Sequence, residues 1–193
     1  MLKLARAGEF GPAFMSPEWR DETLPPGLVS VVMTRIVPGG YYVPHMMLVD
    51  RTCLGVKDAF SGERLSSTEL AAYIEQMGEI HAGRMEEVNV SLAQSVVYHA
   101  IDYAKSLGFA PHRDLDPAMV GPRPSTLEAT PLARPERPFY MPGPNDDVVR
   151  IATKLKVAVG LNGFDLPELP EGDDDFFDDD LDDELADEPS TNP

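Results

Sequence analysis

The chain has one cysteine, Cys53, only four histidines, and no apolar run approaching the roughly 20 residues that cross a bilayer. A lone cysteine excludes an internal disulfide and any zinc site built on several thiolates. It also fits a reducing compartment. Residues 1–14 carry two basic groups but no apolar segment of the signal-peptide kind, so an unexported, cytoplasmic protein with no membrane partner is expected.

Complete catalytic signatures are missing too. There is no G-x-G-x-x-G, no G-K-[ST] phosphate loop, no G-x-S-x-G elbow and no H-E-x-x-H zinc motif. His112-Arg113-Asp114-Leu115 spells the start of a kinase catalytic loop. The required Asn is replaced by Met119, however, and no glycine-rich loop precedes it.

Positive charge is the third scarcity. The 193 residues hold 16 Lys and Arg against 33 Asp and Glu, a net charge of −17. Fourteen of those acids, and none of the bases, fall in residues 165–193, leaving 19 acids against 16 bases in residues 1–164. The preceding chain is therefore nearly neutral, and direct nucleic-acid binding has no support in composition.

What is present reads as one α+β domain. Residues 28–36 (LVSVVMTRI) are rich in β-branched side chains, Pro38-Gly39-Gly40 signals a turn, and residues 41–50 form a returning strand. Pro44 cannot donate to a ladder, which predicts a bulge or an edge position there. Ser66-Ser67-Thr68-Glu69 has capping-box spacing ahead of Leu70, Tyr73, Ile74 and Met77 at helical intervals. Ser91-Leu92-Ala93-Gln94 suggests a second capping box. Its helix would carry Leu92, Val96, Ala100, Tyr103 and Leu107 as a stripe and stop at Gly108. Asn145 is the expected cap of a third helix, with Val148, Ile151, Ala152, Leu155 and Val159 on one face and Gly160 at its end. Nine prolines between Pro111 and Pro144 predict a long irregular connection, with a short strand at residues 139–141.

These elements predict a small hairpin-based sheet with about three helices packed on one face. The expected domain spans residues 28–165, between an N-terminal extension (1–27) and a disordered acidic tail (166–193). Residues 1–14 precede a second methionine, Met15, and read as a fusion or upstream-start remnant.

Two clusters carry candidate chemistry. Asp50, Lys57 and Asp58 follow the second strand, where a sheet edge can present acid–base groups. The plainer alternative makes Asp50 a turn cap and Lys57 with Asp58 a solvated pair. Cys53, among Leu54 and Val56, reads as a small buried hydrophobe. On the second helix His99 and Asp102 are three residues apart and share a face, and His112 and Asp114 come just after it. Together with Asp50 these are ligand types that a divalent metal accepts, the one cofactor the sequence suggests. A metal-dependent hydrolase or nuclease is the corresponding activity. The alternative is a hydrogen-bonded core histidine.

The tail interleaves apolar and acidic residues over positions 173–185. Phe177, Leu181 and Leu185 are four apart, with Phe176 beside them, so a helix would gather them on one side. Like-charge repulsion opposes that helix in isolation, and a basic partner surface would relieve it. A solubilising tail and a tail lying on its own domain are the alternatives.

Three ordered segments resemble a group of uncharacterised bacterial proteins. They are residues 48–60 (LVDRTCLGVKDAF), 100–114 (AIDYAKSLGFAPHRD) and 138–146 (PFYMPGPND). Some members carry a Cys-rich zinc module of the SecA-tail type, which is absent here, with the acidic tail in its place. The resemblance implies one domain of bacterial or phage-like origin and brings no reaction. It does raise Asp50, Lys57, Asp58, Asp102, His112 and Asp114 as positions to test. The leading expectation is a non-enzymatic binding or regulatory protein whose tail engages a basic protein surface.

Overall fold

The structure is a computed structural model and describes residues 1–20, 27–80, 84–130 and 136–167. Strands β2 (Leu28–Val37) and β3 (Tyr41–Asp50) form the expected hairpin, paired without a slip from Leu28 opposite Asp50 to Val37 opposite Tyr41. Gly39 and Gly40 close it with φ of +91° and +75°, a region that glycine enters without a Cβ clash. Strand β4 (Gly55–Ser61) pairs with β3 on its other side, while β1 (Phe10–Met15) pairs with β2 and β5 (Glu86–Val88) with β1. The result is one antiparallel sheet of order β4-β3-β2-β1-β5. The fold class is α+β.

Pro44 lies in an unbroken register with β2. Its carbonyl accepts from Gly62 N (2.8 Å), just past the end of the β4 ladder, so the missing N–H removes no ladder bond. The register shift falls instead between Leu48 and Val49, opposite β4.

The period-two alternation of a strand puts two different apolar sets on the two faces. Met15, Val29, Val31, Met33, Met47, Val49 and Ala59 point to the side covered by α3 (Val90–Ser106) through Ala93, Val96, Val97 and Ala100. Phe14, Val32, Tyr42 and Met46 point the other way, onto Leu70, Ile74 and Met77 of α2 (Ser67–Ile80). The expectation of helices on one face is therefore corrected. Val32 with Phe14, Tyr42 and Met46 makes the second face of the sheet apolar too, and each face needs its own cover.

The expectation that places residues 1–27 ahead of the domain is also revised. Residues 10–15 form β1, between β2 and β5, and α1 (Leu2–Arg6) buries Ala5 against Val37, Val43 and Met119.

Helix α2 begins with the expected capping box: Ser66 N donates to Glu69 Oε2 (2.7 Å), and Glu69 N donates to Ser66 Oγ (3.3 Å). The box expected at Ser91 does not form. Helix α3 starts two residues earlier, after its cap Asn89. Ser91 Oγ donates to Glu128, and Gln94 Nε2 donates to Val120 O (2.8 Å). A four-residue helix α4 (Pro117–Val120) interrupts the proline-rich connection, and Phe139 makes an isolated parallel bridge with Asp165. The cap of α5 (Val148–Val159) is Asp147, whose carboxylate accepts from Arg150 N at 3.0 Å. Asn145 sits two residues earlier, in the turn closed by Asp146 N donating to Gly143 O (3.1 Å). Residues 168–193, and with them the predicted docking residues Phe176, Phe177, Leu181 and Leu185, lie outside the described residues.

Candidate functional site

The end of β3 turns sharply into β4, and Asp50 organises that turn. Its Oδ1 accepts from Thr52 N (2.8 Å), Thr52 Oγ1 (2.7 Å) and Cys53 N (3.0 Å), and its Oδ2 accepts from Leu54 N (3.1 Å). Burial raises the Asp50 pKa, and these bonds only partly offset it. Gly55 ends the turn at φ +71°, where a Cβ would stand 2.8 Å from the Ala104 side chain and 3.0 Å from Ala100 O. Asp50 is thus a buried turn cap, the plainer of its two readings. Cys53 beside it is fully buried, and burial together with the Asp50 charge pushes its thiol far above the ordinary range. It is an inert thiol.

Lys57 projects from β4 toward the segment before α5. Its Nζ donates to Asp146 Oδ2 (2.7 Å) and to Met141 O (3.1 Å). The same Asp146 oxygen accepts from Gly143 N (2.8 Å) and from the Tyr140 hydroxyl (3.2 Å). Burial alone would raise the Asp146 pKa, but the Lys57 ammonium and the other donors outweigh it and hold the carboxyl below its usual value. Tyr140 is fully buried and packs with Cys53, Leu107, Ile151 and Leu155. The three sequence segments singled out above therefore meet here, through Lys57, Leu107 and Asp146. What they build is a packed junction lined by buried side chains.

Asp58, on the same strand, faces solvent beside His112. The His112 Nδ1 atom lies 3.9 Å from both Asp58 Oδ1 and Asp114 Oδ2, and accepts from Asp114 N at 3.3 Å. His99 and Asp102 have other neighbours. His99 Nδ1 is 2.7 Å from Thr130 Oγ1, and Arg123 grips both oxygens of Asp102, which lowers that carboxyl's pKa. Asp50, His99, Asp102, His112 and Asp114 do not converge. Among the described residues no group of three His, Cys, Asp or Glu side chains is placed to hold a metal ion.

Two features carried no sequence signal. His45 is fully buried in the sheet; its Nδ1 lies 2.9 Å from Ser61 Oγ, and its Nε2 accepts from Asp116 N (3.3 Å). That acceptor role makes Nδ1 the protonated nitrogen, so His45 donates toward Ser61 and is not placed to act as its base. The second feature is a groove of about 690 Å³ between α2 and the sheet. Phe14, Tyr42, Leu70, Ile74 and Met85 line it, and Glu75 and Glu79 stand exposed at its rim. Helix α2 contains three Glu and no Lys or Arg. Only pairing across β1, β3 and α2 creates this groove, and residues of one helix could not reveal it.

Comparison with protein families, with curated proteins and with solved structures found no match to this chain. Among the described residues no helix is long and apolar enough to cross a membrane.

Proposed function

We propose that this chain is a non-enzymatic binding protein of the bacterial cytoplasm that engages a basic partner through its acidic, apolar-spaced segment 173–185. One observation carries the reading. The side chains that sequence nominates for chemistry are mostly held by the fold itself: Asp50 by four donors, Lys57 by Asp146 and Met141 O, and Asp102 by Arg123. A reactive centre needs groups that a substrate can reach, and these are spent on turns and junctions. The metal-hydrolase reading draws no support from that arrangement.

The groove beside α2 is apolar, and its rim carries two acids, Glu75 and Glu79, against one base, Arg84, which favours the same kind of partner, an apolar segment flanked by Lys and Arg. The resemblance to the bacterial group remains part of the proposal. The meeting of its three segments at the Lys57–Asp146 junction supports reading them as one structural unit.

Affinity capture with the full chain and with a chain ending at Pro167 tests the reading. The shorter chain keeps Leu166, which packs against the cluster that includes Tyr140, Ile151 and Leu155. Basic partners held by the full chain and lost from the shorter one are expected. An unchanged set of partners overturns it.

A further inference from the structure

Helix α5 has an outer face that nothing among the described residues covers. Val149, Thr153 and Val157 succeed one another at four-residue intervals on it, and Leu161 lies just past its end. Val149 is 58 % exposed, Val157 84 % and Leu161 69 %, unusual figures for branched aliphatic side chains standing together. Between this face and the end of α3 runs a shallow groove of about 380 Å³, with Leu107 and Val157 in its wall and Lys105 and Lys154 at its sides. Helix α5 itself carries Arg150, Lys154 and Lys156 and no acid; its cap, Asp147, lies 3.6 Å from Arg150. The carboxylate nearest Lys105 in sequence, Asp102, is gripped by Arg123. The face is apolar along its middle and cationic along its edges.

The opposite pattern lies a short way down the same chain. Residues 173–185 hold nine acids and no base, with Phe177, Leu181 and Leu185 four apart. Leu166 packs against the cluster that includes Ile151 and Leu155 of α5, so the chain leaves the described structure close to that helix. The six steps from Pro167 to Asp173 span at most about 20 Å when extended. Helix α5, at 12 residues, is about 18 Å long. The acidic segment is therefore long enough to lie along much of this face. The groove beside α2 suits it less well, because Glu75 and Glu79 line that groove with a single base, Arg84.

We propose that residues 173–185 dock on the α5 face of their own domain, with Phe177, Leu181 and Leu185 against Val149, Val157 and Leu161 and the acids beside Lys105, Lys154 and Lys156. This rests on reading the segment as a docking element. It adds that a basic partner must compete with α5 for it, so the tail is held by its own domain until such a partner arrives.

Zero-length carbodiimide cross-linking of the purified full chain, read by mass spectrometry, tests the docking. The chain has five lysines: Lys3, Lys57, Lys105, Lys154 and Lys156. Amide links from Lys105, Lys154 or Lys156 to acids in 173–184 are expected in the monomer fraction at low salt. They should fall at least fivefold in 0.5 M NaCl, where charge attraction is screened, and in Val157→Asp, an exposed change that leaves the core intact. Absence of these links, or equal linking to Lys3, overturns the proposal. Links confined to a dimer fraction overturn it as well, since the occupant is then a second copy's tail. No partner is present in this experiment, so its failure would leave the capture result above standing, and the reverse also holds.

Discussion

Lys57 Nζ lies 2.7 Å from Asp146 Oδ2, and the two side chains are only 15 % and 13 % exposed. This pair ties β4 to the segment that leads into α5, across 89 residues of sequence. Removing one member leaves a mostly buried charge without its partner, which costs about 3 kcal/mol. Lys57→Met and Asp146→Asn should each lower the urea midpoint strongly, and the double variant should lose less than their sum. Additive losses would show that the pair is not coupled.

Stability should depend on His45 at mildly acidic pH. Burial lowers its folded pKa, and the nearby Asp116 charge offsets this only in part. An unfolded histidine titrates near pH 6.5, so below that value the unfolded chain binds the proton more readily than the folded one. The contribution of neutral His45 is complete above about pH 6.5 and is lost as pH falls toward the folded pKa. Protonation also places an N–H on Nε2, which now accepts from Asp116 N. Urea midpoints between pH 7.5 and 5.5 should fall for the natural chain and fall less for His45→Gln. Parallel profiles would contradict this assignment.

The two capping-box sequences should behave differently. Ser66→Ala removes a side chain that caps α2 and should cost about 1 kcal/mol. Ser91→Ala removes only an exposed bond to Glu128 and should cost no more than about 0.5 kcal/mol. Chemical denaturation of the two variants distinguishes them, and equal losses would restore the cap at Ser91.

Cys53 should resist thiol reagents in the folded protein. It is fully buried and its thiolate is disfavoured by burial and by Asp50. Reaction with a chromogenic disulfide should proceed at the rate of unfolding and become rapid in denaturant. Fast labelling under native conditions would show an accessible thiol.

Much of the fold was legible where local chemistry decides structure. The β2–β3 hairpin follows from β-branched runs around Pro38-Gly39-Gly40, and α2 follows from Ser66 and Glu69. Strand β4 was less legible because the shift between Leu48 and Val49 breaks the alternation opposite it, and Lys57 and Asp58 interrupt its apolar residues. Strand β1 hides behind Gly11 and Pro12, which depress strand propensity although its partners on both sides hold it. The false cap at Ser91 shows the limit of spacing alone, since Gln94 finds a better partner in Val120 O across the chain. The candidate site was least legible. Asp146 claims Lys57 and Arg123 claims Asp102 through contacts between distant segments, and no local pattern encodes them.

The central claim is that the acidic segment recognises its partner through apolar side chains set among charges. Capture of basic partners by a chain carrying Phe177→Asp, Leu181→Asp and Leu185→Asp together tests it most directly, because negative charge is kept while the apolar side is removed. Retention should fall at least tenfold, close to that of the chain ending at Pro167. Capture equal to that of the natural chain would contradict the claim.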